Sequence, residues 1–102
     1  MKNTYVEFEL NNEETVKLTL TFGKLNMLKS ANNSLYQKYS KFLMTGTSDD
    51  ILDIVTMIYV AYWCANFGKE KFYTLEEFID LVPFDMVELE RVNNALMRPK
   101  KK

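Results

Sequence analysis

The stretch TMIYVAYWCANFG, Thr56 to Gly68, is the most apolar in the chain, and what surrounds it decides the fold. So greasy a segment is a membrane span, the buried centre of a globular domain, or a face kept for a partner. Around this segment the charge-free apolar run extends only from Ile54 to Phe67, and those fourteen positions rise roughly 21 Å as a helix against roughly 30 Å of hydrocarbon. A span is the weakest of the three. Ile51, Ile54, Val55, Ile58, Tyr62 and Ala65 form one apolar stripe, while Met57, Tyr59, Val60, Ala61, Trp63 and Cys64 fill the remaining sides. A helix apolar all round is normally surrounded, so it stands at the centre of the fold, covered by this domain alone or by a partner as well.

Upstream, Ser48 is placed to cap this helix, with Asp49, Asp50 and Asp53 near its positive end, and Gly46 fits the stop of a preceding helix. Leu25, Leu28, Leu35, Tyr39 and Phe42 recur at helical spacing, predicting that preceding helix from about Lys24 to Leu43, weakened in its middle by Asn32-Asn33-Ser34. Before Gly23 the period changes to two. Val6, Phe8 and Leu10 alternate with Tyr5, Glu7 and Glu9, then Val16, Leu18, Leu20 and Phe22 alternate with Thr15, Lys17, Thr19 and Thr21, around a polar Asn11-Asn12-Glu13-Glu14 turn. That is a β-hairpin with one apolar face, its outer face setting Glu7 and Glu9 against Lys17 and threonines.

Downstream, Gly68 ends the central helix. Thr74-Leu75-Glu76-Glu77 reads as a capping box, with Tyr73 and Phe78 at the positions of a hydrophobic staple. Pro83 disfavours a helical Val82 and closes that helix, after which Asp85 with Glu88 repeats the box and Phe84 with Leu89 the staple, for a last helix to about Met97. The expectation is a single α+β domain over residues 1–97, mainly α, with the N-terminal β-hairpin packed on about four helices. Residues 98–102, Arg98-Pro99-Lys100-Lys101-Lys102, are expected to form a flexible basic tail.

Composition narrows the function. A chain of 102 residues, 47% hydrophobic and 26% charged, can bury a core without disulfides or metal. Thirteen basic and fourteen acidic residues give no overall field toward nucleic acid or an anionic membrane. The single cysteine, Cys64, permits no internal disulfide, and its place in an apolar helix argues for a reduced, intracellular setting. Met1-Lys2-Asn3-Thr4-Tyr5 lacks the apolar run of a signal peptide, which argues against export.

Chemistry has little to use. Without any histidine there is no Ser-His or Cys-His pair, and a zinc site would have only one thiolate and oxygen ligands. Gly23, Gly46 and Gly68 stand apart, so no phosphate-binding loop forms. Asp49, Asp50 and Asp53 lack the spacing and glycine of a calcium loop and read as a helix start. Glu76, Glu77 and Asp80 read as capping and a solvated face, and Cys64 as a small buried hydrophobe. No catalytic, cofactor or metal site is expected.

Two binding readings remain. The helix pair 74–97, followed by a basic tail, loosely resembles a helix-turn-helix, but the early turns of its second helix, Met86-Val87-Glu88-Leu89-Glu90, are acidic where phosphates would lie. A small DNA-binding regulator is therefore the alternative, distinguished by whether the exposed face of that pair is basic. The aromatics favour a protein partner: Tyr59, Tyr62, Trp63, Phe67, Phe72 and Tyr73 crowd one segment, and such residues serve both cores and interface hot spots. Met57, Tyr59, Tyr62, Trp63, Phe67 and Tyr73 are the partner-binding candidates, the exposed ones among them being those that matter.

The hairpin closing on TLTFGKLNML, the central DDILDIVTMIYVAYWCAN, the capped YTLEEFIDLVPFD and the final PKKK, in that order, resemble the tail assembly chaperones of long-tailed phages and prophages of Gram-positive bacteria. The resemblance spans nearly the whole chain. It implies a non-catalytic factor in the host bacterial cytoplasm that binds the tape measure protein, assists assembly of the tail tube protein, and is not part of the mature virion. It further implies self-association as an option and two forms related by ribosomal frameshifting, of which this chain resembles the shorter; the charge balance and the short apolar run are what argue against a nucleic-acid or membrane partner. An A-rich slippery site encoding Lys100-Lys101-Lys102 is then expected, and non-repetitive codons there with no other slippery site nearby would remove it.

Overall fold

The computed structural model describes residues 5–45, 51–70 and 72–97. The expectations placed on Gly46, Ser48, Asp49 and Asp50, and on the tail 98–102, lie outside those residues. Among the described residues the order is β1 (Val6–Glu9), β2 (Thr15–Leu18), α1 (Phe22–Ala31), α2 (Asn33–Thr45), α3 (Ile51–Asn66), α4 (Leu75–Leu81) and α5 (Met86–Met97). The fold is a mainly helical α+β globule.

β1 and β2 pair antiparallel in the register the alternation requires, with Phe8 opposite Val16, Val6 opposite Leu18 and Glu7 opposite Lys17. Phe8, Leu10, Val16 and Leu18 are buried on the inner face. In the turn, Glu13 takes a left-handed backbone (φ 70°), and the Asn12 side chain accepts the N–H of Glu14 at 3.1 Å. Phe22 departs from the predicted strand face. It opens α1 and is 91% exposed, because Thr21 caps the helix by accepting the N–H of Lys24 at 3.2 Å, which ends the extended backbone before Phe22.

The single helix expected over Lys24–Leu43 is two. Asn32 ends α1 by donating its N–H to the Leu28 carbonyl at 2.7 Å. Its side chain then accepts the N–H of Leu35 at 3.2 Å, capping α2. An asparagine side chain that competes for backbone donors is the physical cause of the break.

α3 is the centre. Val55 and every residue from Met57 to Cys64 are buried, with β2, α1, α2, α4 and α5 all packed on it. The domain itself supplies the cover this helix needs. Asn66 joins it to the hairpin, its amide donating to the carbonyls of Lys17 and Tyr62, both at 2.9 Å. Gly68 at φ 95° provides the left-handed step after the helix that side chains resist. The radius of gyration is 12.9 Å, close to the ~13 Å of a compact chain this long. Among the described residues no helix is long and apolar enough to cross a membrane.

α4 is capped as predicted: Thr74 accepts from the N–H of Glu77 at 3.2 Å and the Glu77 carboxylate accepts from the N–H of Thr74 at 2.9 Å. The second box is only half formed. Asp85 accepts from Val87 and Glu88, but the Glu88 carboxylate is held by Arg91 at 2.7 Å and the Asp85 N–H goes to the Pro83 carbonyl. The second staple is absent, since Leu89 is buried while Phe84 is 91% exposed. Set between Pro83 and the cap, Phe84 belongs to no helical face that could turn it inward.

Candidate protein-binding surface

The aromatic crowd is organised around Tyr62. Its ring stacks on Phe72 (5.5 Å between centroids, 18° between planes) and packs against Tyr59, Tyr73 and Phe78. Residues three positions apart share a helix face, so Tyr59 and Tyr62 meet the start of α4 together. Tyr73 and Phe78, the predicted staple, both lie against Tyr62.

Polar tips anchor the cluster. The Tyr59 hydroxyl donates to the Tyr73 carbonyl at 2.8 Å, and the Tyr73 hydroxyl donates to Glu14 in the hairpin turn. Desolvation pushes Tyr59 up to about 12, with the neighbouring Tyr62 adding to the shift. Burial likewise raises Tyr39 and lifts the Cys64 thiol to about 11. Held protonated and enclosed, Cys64 is poorly suited to be a nucleophile. Among the described residues no three Cys, Asp or Glu side chains are grouped to hold a metal ion.

Of the candidates, Met57, Tyr59, Tyr62 and Trp63 lie in the core. Tyr73 is half-buried, and only Phe67 faces solvent substantially, at 46%. Phe67 is nevertheless held firmly. It stacks on buried Trp63 (4.2 Å, 19°) and meets Phe72 edge-on at 5.7 Å. One exposed ring thus caps a column that runs into the core, beside half-buried Phe72 and Tyr73. A rigid aromatic needs little ordering when a partner covers it, which is the character of an interface hot spot.

Sequence reasoning did not single out as partner contacts the other exposed hydrophobics, Tyr5, Phe22, Met27, Met44, Leu52, Phe84, Met86 and Val87. Two of them had been assigned to inward faces, and the signal that relocates them is the adjacent N-cap, Thr21 for Phe22 and Asp85 for Phe84. No family model matches the chain, and no curated protein or solved structure is significantly similar to it.

Proposed function

We propose that the protein is a non-catalytic phage tail assembly chaperone that binds the tape measure protein and assists assembly of the tail tube. The order of sequence segments described above supports this reading. The observation that carries its contact surface is Phe67, a half-exposed ring fixed against Trp63 and Phe72 at the end of the central helix. A tape measure protein is long and helical with apolar stripes, and a rigid aromatic edge accepts such a stripe as a groove accepts an amphipathic helix. The DNA-binding alternative asks for a basic face on α4 and α5. Their exposed charges, Glu76, Glu77, Asp80, Asp85, Glu90 and the ion-paired Arg91, are mostly acidic.

Co-expression with the tape measure protein encoded in the same genome tests the reading. The client is expected to become soluble and co-purify, and Phe67→Ala is expected to abolish capture while melting as a folded domain. Tyr59 and Trp63 are unsuited to this test because their loss opens the core. A client that stays insoluble and unbound beside a folded chain overturns the chaperone role of this form. Capture undiminished by Phe67→Ala overturns the surface.

A further inference from the structure

The two edges of the hairpin are finished differently. Leu10 donates its N–H to Glu14 across the turn, and the register sets Phe8 against Val16 and Val6 against Leu18. Even-numbered residues of β1 therefore bond to β2, and odd-numbered ones turn their N–H and C=O outward. On β2 the same parity turns Lys17 and Thr19 outward, and both meet α3. The Lys17 carbonyl accepts from the Asn66 amide at 2.9 Å, and the Thr19 N–H reaches the Ala61 carbonyl at 3.2 Å. That edge is closed.

The edge of β1 is held only towards its ends. Beyond the strand the Asn11 N–H goes to the Leu81 carbonyl, and near its start Arg91 Nη2 reaches the Glu7 carbonyl at 3.4 Å, which is long for a hydrogen bond. Among the described residues the Glu7 N–H and both main-chain groups of Glu9 have no partner. Between the strand and α5 lies an open groove of about 730 Å³, lined by Tyr5, Val6, Glu7, Lys17, Arg91 and Ala95. The side chains of Glu7 and Glu9 are exposed. Neither is ion-paired among the described residues: Arg91 is taken by Glu88, and Lys17 holds its ammonium over the Tyr5 ring, 5.4 Å from the centroid.

We propose that this edge takes up a third strand, an extended basic–apolar–basic segment of a partner protein laid along β1 beside α5. Paired with Glu7 and Glu9, it supplies partners for the open main-chain groups, which is recognition by strand addition. It takes the Glu7 carbonyl over from Arg91, whose guanidinium keeps both its bonds to Glu88. Residues directly opposite share a face of the sheet, so its two basic side chains meet the Glu7 and Glu9 carboxylates, and the apolar one between them turns to the inner face. An acidic segment would set like charges together. The contact uses neither Phe67 nor the aromatic column behind it.

Nuclear magnetic resonance titration of the isotope-labelled full chain with the capped peptide TKVKVKT tests it. The amide signals of Glu7 and Glu9 are expected to shift and to gain protection from exchange. N-methylation of the peptide's lysines, whose N–H groups face β1, should abolish binding; N-methylation of its valines, whose N–H groups face away, should leave it. Glu9→Pro deletes an outward N–H that the hairpin does not use, a change an edge strand tolerates, and should weaken binding about tenfold. Glu7→Lys with Glu9→Lys should turn the preference towards TEVEVET by about tenfold. Absence of any shift at Glu7 and Glu9 at millimolar peptide overturns the proposal. So does binding indifferent to lysine N-methylation, which marks charge attraction without strand pairing, or binding that fails to discriminate TKVKVKT from TEVEVET. The first two outcomes need only the wild-type chain, so they hold even where a variant does not fold. Client capture through Phe67 stands or falls separately, because the peptide is the only ligand present.

Discussion

The hydroxyl of Tyr62 accepts the backbone N–H of Tyr73 at 2.8 Å. One turn earlier on α3, the Tyr59 hydroxyl takes the carbonyl of the same residue. Both main-chain groups of Tyr73 are thus satisfied by the central helix, which fixes where the loop enters α4.

Tyr62→Phe keeps the ring and removes the acceptor, leaving a part-buried N–H without it. A loss of about 1–2 kcal/mol is expected, read as a melting temperature lower by roughly 4–8 °C per kcal/mol in a domain of this size. Tyr5→Phe, on the exposed edge of the hairpin, should leave the melt unchanged.

The two helix starts after Gly68 should respond unequally. Thr74→Ala breaks a complete capping box and is expected to cost ~1 kcal/mol. Phe84→Ser removes a ring that packs on no staple partner, and should stay within about 0.5 kcal/mol of wild type. Urea titrations of the two variants decide it; equal losses would mean Phe84 is seated.

Stability should fall in alkali. Burial raises the Cys64 thiol from 9.0 to about 11, so above pH 9 the unfolded chain sheds a proton that the folded chain keeps. Its contribution is fully present below that value and is lost as pH rises through about 11, at up to ~1.4 kcal/mol per pH unit. Tyr59, raised from 10.0 to about 12, extends the decline in the same direction. Melting Cys64→Ala beside wild type checks the assignment: the variant begins less stable through its cavity but should decline less between pH 9 and 11. Parallel curves would remove Cys64 as the cause.

Glu13 sits in the hairpin turn at φ 70°, where a side chain crowds the backbone. Glu13→Gly is expected to stabilise by about 1 kcal/mol, relief of that crowding outweighing the added freedom of the unfolded chain. A lower melting temperature would mean the glutamate side chain contributes more than its backbone costs.

The central helix, the strand register and the cap at Thr74 were legible in the sequence because each follows from a local pattern: all-round apolarity, alternation, and a Thr and Glu at fixed spacing. The split at Asn32 was not, because Leu25, Leu28, Leu35 and Tyr39 keep one helical phase across it, and only the asparagine side chain marks the interruption. The second capping box failed because Arg91, three residues on, competes for Glu88. The aromatic candidates were legible as a group but not in their exposure. Phe67 directly follows α3, its N–H still on the Trp63 carbonyl, and nothing in the spacing tells which side of the stack meets water.

The hairpin turn is also tied to the far end of α4, with the N–H of Asn11 on the Leu81 carbonyl at 2.8 Å and its side-chain amide on Val82 across 71 positions of sequence. During synthesis at ~5–20 residues per second, those partners follow the turn by roughly 4–14 s. A two-stranded hairpin is marginal by itself, so Phe8, Leu10, Val16 and Leu18 wait over that interval for the helices that will cover them. The nascent hairpin thus needs shelter before its own domain can supply it, and slowing translation after Leu18 should lengthen its exposure to the cell's own folding machinery.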